Sequence, residues 1–415
     1  MIAVQQKNIA HLKSQYHHWM EATSRLSKLE NLASSYAWTG VDRDVKQMIL
    51  DSAKNSIGLV DEIGREIKIQ LQAGAEYDRI RKSVLRLRQQ YLKTETTIHF
   101  FTDALNSRTN VSLATLLRAC DILCKRSMEA ILPTLGKQVP HCFTFLDKGL
   151  GASILKSGLR LWDGSISRVA AIKITFHNLY RPTAAIHETG HQIAHMLHWN
   201  TELASSLRDR LGKQDSLVGN TMASWASEIA ADVIAFSFTG YAAVASLYNV
   251  VAGTPGNMFA FHDGDPHPIP YLRVLFNIEC CKKFYGRGPW DDLESALQQD
   301  YPIERYNGSS VQLIKACKKV LSQAVDICLA TKYKAFDGRS LAGIVNPELV
   351  SPTALDQLEK NSEALQQSHA WVYKECLKML ALTGYRIATI EKNIEKEYKR
   401  QGEWMMNLGI QNQLN

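Results

Sequence analysis

His187-Glu188-Thr189-Gly190-His191 constrains this chain more than any other stretch. On a helix, residues four apart leave the same face about one turn apart, so His187 and His191 present two imidazoles together. Two neutral imidazoles so placed suit two corners of a zinc tetrahedron. Glu188, beside the first, reaches a metal-bound water without ligating the metal. Pro182 and Thr183 suit the first turn of such a helix, and uncharged residues surround the motif through Met196. Gly190 is the odd choice, because glycine inside a helix costs on the order of 1 kcal/mol relative to alanine. A bare backbone there makes sense if another strand or a ligand passes close by.

A second pair answers the first. In the helical stretch Trp225 to Phe236, Glu228 and Asp232 again stand four apart, amid almost wholly apolar neighbours. Two carboxylates in such a helix are costly unless paired or bound to a metal. Glu228 as third ligand, with Asp232 as hydrogen-bond partner to a ligating imidazole, satisfies both. Alone, the His-Glu-x-x-His pattern arises by chance as a polar helix face, and a Glu/Asp pair is elsewhere a cap or a surface pair. The two spacings together favour a metal.

With these residues in view, the chain resembles the gluzincin metallopeptidases, whose second helix supplies the glutamate ligand while its aspartate steadies the first histidine. His267-Pro268-Ile269-Pro270-Tyr271-Leu272-Arg273 adds a His-Pro pair with an arginine six residues after the histidine. That segment is similar to one in the CAAX-processing and heat-shock membrane endopeptidase family. The resemblance covers about residues 184–273 and departs from that family in lacking its obvious membrane helices. A metzincin register fails, since it wants glycine and histidine where the chain has Ala194 and Leu197. His195 and His198 are displaced from it and are read as packing or surface residues.

Length bounds the rest: 415 residues leave room for two or three domains and a sizeable core. The net charge of +7 is modest and permits weak attraction to acidic surfaces without arguing for any. Cys120, Cys124, Cys142, Cys280, Cys281, Cys317, Cys328 and Cys376 form no C-x-x-C and read as reduced, mostly buried thiols. The first twenty residues carry His11, Lys13, His17 and His18 and no apolar signal core, so the cytoplasm is the expected compartment.

Residues 1–135 read as an N-terminal helical hairpin or bundle. Apolar steps of three or four run from Val45 to Leu71, Ala73-Gly74-Ala75 breaks them, and a second helix follows from Tyr77 to Leu105. A helix over Val111 to Leu132 is expected to pack against this hairpin. Arg79, Arg81, Lys82, Arg86 and Arg88 cluster on the second helix, and without interleaved aromatics they read as a solvated face. Residues 136–345 form the expected zincin-like domain. His141–Leu146, Leu159–Trp162 and Val169–His177 read as strands, with Asp163-Gly164 a turn between. The resemblance implies that this sheet's edge strand pairs with an extended peptide. Val233 to Gly253 is an uncharged run long enough to span a bilayer, but polar residues dilute it, so it reads as two buried helices broken near Gly240. The loop from Ala252 to Pro270 belongs at a cleft rim. Residues 346–415 return to long helices, expected to pack on the N-terminal hairpin. The fold class is mainly α with a small β-sheet, a zincin-like domain framed by long helices.

The function so read is that of a zinc endopeptidase. His187, His191 and Glu228 hold zinc, and Glu188 is the general base toward the attacking water. Asp232 fixes a ligand imidazole, and His267, Tyr271 and Arg273 are the candidates for stabilising the oxyanion. The expected partner is a peptide or protein substrate, with no nucleic acid, no membrane, and room for a protein partner on the N-terminal helices. The rival class is a non-catalytic scaffold or delivered interaction protein with a structural zinc. A nearer alternative is amide hydrolysis of a non-protein substrate.

Overall fold

The structure, a computed structural model, describes residues 2–149, 151–365, 368–390 and 392–411. Helices dominate, as expected. The principal ones are α1 (Ile2–Leu26), α2 (Arg43–Gln72), α3 (Tyr77–Asn106), α4 (Val111–Glu129), α5 (Thr183–Met196), α6 (Trp199–Leu211), α7 (Ser216–Ser224), α8 (Ala226–Thr239), α9 (Tyr241–Val251), α10 (Pro270–Tyr285), α11 (Pro352–Leu365), α12 (His369–Thr389) and α13 (Ile394–Gln411). Strands β1 (His141–Leu146), β2 (Ser153–Leu155) and β3 (Val169–Ile174) make one sheet in the order β1-β3-β2.

Contacts divide the chain into two compact units. One comprises Met1–Ala114, Pro140–Phe145 and Leu155–Ala171; the other comprises Thr115–Val139, Leu146–Ile154 and Ile172–Asn415. The first unit is built on α2 and α3. Asp42 caps α2, its carboxylate accepting from the N–H groups of Asp44 and Val45 at 2.9 and 3.3 Å. The three-and-four spacing buries one face of α2 fully at Val60 and Ile67. Gly74, at φ +66, turns the chain back. Gln70 of α2 then bonds Ser83 of α3, and Glu66 pairs with Arg86. Helix α1 packs on both.

The second unit holds both motif helices. The uncharged run from Val233 is two helices, as expected: α8 stops where Gly240 takes φ +54, and α9 starts at Tyr241. Among the described residues no helix is long and apolar enough to cross a membrane. Helices α6 and α7, between the motifs, pack on each other and on α8, and sequence reading had assigned them nothing.

Several expectations change. From Thr115 onward, α4 belongs to the unit of the motif helices rather than to the hairpin. There its apolar residues Leu116, Leu117, Ile122 and Leu123 are buried, and the hydroxyls of Ser127 and Thr189 on α5 meet at 2.7 Å. Helix α12 finds its partners in α8 and α9, where the hairpin had been expected. It carries a glycine at the crossing, since a Cβ on Gly384 would stand 2.6 Å from the Cβ of Ala242. Leu159–Trp162 is no strand. The Asp163-Gly164 turn is there, but it closes so tightly that only an isolated bridge, Arg160 to Ile166, forms around it. The third predicted strand ends at Ile174, and Phe176–Asn178 is a 3₁₀ turn.

Candidate metal centre

Gly190 sets the distance between the motif helices. A Cβ there would lie 2.8 Å from the Cα of Ala231 and 3.0 Å from its carbonyl oxygen. No larger residue fits without pushing α8 away, so the passing segment inferred from Gly190 is a helix. Gly190 lies between His187 and His191, and Ala231 between Glu228 and Asp232. The point of closest approach therefore sits amid the four polar side chains and brings them together. Nearly every side of α5 is covered, and Glu188, Thr189 and His191 are all buried.

The resulting geometry is compact. His191 Nε2 lies 3.1 Å from Glu228 Oε1, and His187 Nε2 lies 3.4 Å from Glu228 Oε2. His187 Nδ1 donates to Asp232 Oδ1 at 2.9 Å, which leaves Nε2 facing the glutamate. Ser227 Oγ stands 3.3 Å from His191 Nδ1 and holds the second ring. One ligand atom from each of His187, His191 and Glu228 falls within 4.8 Å of the others.

Arg273 completes the cluster from α10. Its Nε and Nη2 donate to the two oxygens of Asp232 at 2.7 and 2.8 Å, and Nη2 also reaches Glu228 Oε2 at 3.1 Å. Asn277, one turn further along α10, donates to Asp232 Oδ2 at 3.2 Å. Sequence reading missed Asn277 and Ser227. The first could have been found by its four-residue step from Arg273, the second by its place beside Glu228. Arg273 is no surface residue: its side chain is only 12% exposed.

His267 lies over the open side. Its backbone N–H and Nδ1 both engage Asp265 Oδ1, at 2.9 and 2.7 Å, and its Nε2 stands 3.8 Å from Glu228 Oε1. With its side chain 60% exposed it is the solvent-facing member. Tyr271 is enclosed instead. Its ring packs on Phe259 at 5.4 Å, its hydroxyl has no hydrogen-bond partner, and burial with Glu304 and Glu294 pushes its pKa up to about 12. Among the described residues no hydrogen bond or ring contact joins it to the His187–Glu228 cluster.

The cluster's electrostatics are strongly coupled. Burial works against a charged His187, but hydrogen bonds to Asp232 and Glu228 outweigh it and raise the pKa to about 10. Burial likewise opposes ionising Glu228, yet bonds from His187 and His191, with the charge of Arg273, hold it far below the usual carboxylate range. Asp232 is held low chiefly by Arg273, again against burial. Glu188 also belongs to the field that raises Arg273.

This donor set suits a tetrahedral divalent metal. Bonds of about 2.0–2.2 Å to nitrogen and oxygen imply donor–donor edges of roughly 3.3 Å, and the two histidine–glutamate distances bracket that figure. With both imidazoles neutral, as metal ligation requires, three carboxylates, Glu188, Glu228 and Asp232, face one guanidinium, an imbalance of two negative charges that a divalent cation would neutralise. A second group, Asp42, Asp44 and His141, is mostly exposed, and its Asp42 is already committed to capping α2. Comparison with known family models, with curated proteins and with solved structures gives no match.

Proposed function

We propose that the chain is a zinc-dependent endopeptidase of the gluzincin kind, with His187, His191 and Glu228 holding the metal. One observation carries the reading: two helices forced into contact at Gly190 and Ala231 present a His/His/Glu donor set with an unbalanced charge of minus two around it. Zinc so held would supply Lewis acidity and would lower the pKa of a water at its open position toward about 7.

The chain's own groups do the remaining work. Glu188 follows His187 directly on α5 and ligates nothing; it accepts the proton of the attacking water and returns it to the leaving amine. Asp232 keeps His187 in the tautomer whose Nε2 faces the donor set. Arg273 acts through Asp232 and Glu228, with two of its nitrogens already used, and is therefore a positioning residue. The donor toward the oxygen that gains charge is His267, exposed, and held by Asp265 with Nε2 pointing at the cluster. Tyr271, with its hydroxyl enclosed, supports the loop through Phe259.

The test has two arms. Metal analysis of purified protein should give about one zinc per chain, lost on Glu228→Ala, as a single three-ligand site requires. Glu188→Gln should keep the zinc and lose peptide cleavage by roughly 10²–10⁴-fold. Zinc retained at full stoichiometry by Glu228→Ala, or parental cleavage by Glu188→Gln, would overturn the proposal.

A further inference from the structure

Away from the metal centre, one face of α3 stands without an internal use. From Arg79 to Lys93 the helix carries Arg79, Arg81, Lys82, Arg86, Arg88 and Lys93 and no acid. Two of these are engaged: Arg86 pairs with Glu66, and the Arg88 guanidinium lies 6.0 Å from the centre of the Trp19 ring. The other four are exposed, and among the described residues their side chains make no ion pair or hydrogen bond.

Leucines share that face. At 100° per residue, Arg81, Leu85, Arg88 and Leu92 fall within an arc of about 60°. Leu85 and Leu92 are 44% and 39% exposed. A single exposed leucine is ordinary, but two on one arc, each flanked by cations, make an apolar stripe with basic margins. The end of the hairpin adds Ile69, 65% exposed, beside the exposed Lys68.

We propose that this face of α3 adsorbs to an anionic lipid surface. Lysine and arginine heads reach lipid phosphates and carboxylates while their methylene stems and the two leucines lie at the boundary with the acyl chains. Each cation near such a surface contributes separately; of the unpaired ones Arg81 lies within the arc, Lys82 and Lys93 stand about 90–110° from its centre on the exposed side, and Arg79 lies about 150° away. The nearest acids along the helix are Asp78 and Glu95, and Glu95 is held by Tyr91 at 2.9 Å. Other occupants fit less well. Single-stranded nucleic acid calls for aromatic stacking platforms, and Tyr91, the one aromatic residue between Arg79 and Lys93, is buried. A partner helix calls for an apolar seam over three or four heptads, and here the seven-residue spacing occurs once, from Leu85 to Leu92. The inference is independent of the metal reading.

Vesicle sedimentation of the full chain tests it. Phosphatidylcholine vesicles containing about a third phosphatidylserine should bind the protein, pure phosphatidylcholine should not, and added salt should weaken the binding. Arg81→Glu with Lys82→Glu should lose at least about tenfold in partitioning. Leu85→Ser with Leu92→Ser should lose about threefold or more. Both pairs are solvent-facing, and circular dichroism checks that the helices persist. Lys315→Glu with Lys318→Glu makes the same change in net charge elsewhere on the surface and should leave binding unaltered. No binding to anionic vesicles, or equal loss in the two charge-reversed variants, would overturn the proposal. Tighter capture of a uridine oligonucleotide than of vesicles at the same salt would reassign the face to nucleic acid.

Discussion

Glu188, Glu228 and Asp232 share one buried neighbourhood with the single guanidinium of Arg273, and that imbalance governs how the site titrates. Without metal, the proton on His187 supplies part of the missing positive charge, which is why its pKa rises to about 10 from 6.5. The stabilisation it brings is therefore complete below the unfolded value near 6.5 and is lost as the pH climbs through about 10. A metal held as proposed would compete with that proton for the same imidazole. Zinc binding at neutral pH should release about one proton, with affinity rising as the pH is raised. Calorimetry in buffers of different ionisation enthalpy measures this, and proton-neutral binding would contradict the assignment of His187 as a ligand. The depressed carboxylates act in the opposite sense, adding stability above the ordinary carboxylate range that is lost only in strong acid. Arg273 and His267 should separate cleanly on substitution. Arg273→Ala strands two buried carboxylates and should cost about 3–5 kcal/mol of stability as well as zinc affinity. His267→Ala should keep both and lower kcat by on the order of 10²-fold. If the two variants behaved alike in thermal unfolding and zinc content, the positioning role of Arg273 would be wrong.

At the level of elements, the site depends on one helix crossing. Gly190→Ala gains about 1 kcal/mol in helix propensity. It also drives a methyl group to 2.8 Å from the Cα of Ala231. Overpacking of that kind typically costs about 1–3 kcal/mol, so the variant should be no more stable than the parent and should bind zinc less tightly. The cost falls on the separation of α5 and α8, and hence on the distance between the histidines and Glu228. The obstruction is backbone, so Ala231→Gly should restore little of either property. Urea unfolding and zinc titration of the single and double variants measure this. A Gly190→Ala protein that was more stable than the parent and bound zinc equally well would remove the crossing from the account.

For the whole molecule, the core cluster built on α2 and α3 lies within the first unit, and the proposed metal ligands all lie in the second. Metal binding is folding free energy only for the part that forms the site, by about 4 kcal/mol at a metal concentration a thousandfold above Kd. Chelation should therefore raise amide exchange in α5, α8 and α10 while leaving α2 and α3 as protected as before. Hydrogen exchange read by mass spectrometry checks this, and uniform deprotection of all five helices would mean that the units unfold as one.

Much of the site was legible because its signals are local. Four-residue spacing on a helix needs no tertiary information to place His187 with His191, or Glu228 with Asp232. The breaks at Gly74 and Gly240 could be read because a positive φ favours glycine at those turns. Even the close approach at Gly190 was visible as a cost without a local benefit. What met Gly190 was not, since nothing in one helix names the partner that crosses it. The same holds for α4 and α12, whose apolar faces are equally suited to several neighbours until packing chooses one. Tertiary structure also separated three residues that lie within one short segment. His267 is left in solvent over the carboxylates, Tyr271 is enclosed against Phe259, and Arg273 is turned inward onto Asp232. Sequence could place them near one another along the chain. Only the direction in which α10 enters the core, with Arg273 and Asn277 on its inner face, decided which of them touches the proposed metal ligands and Asp232.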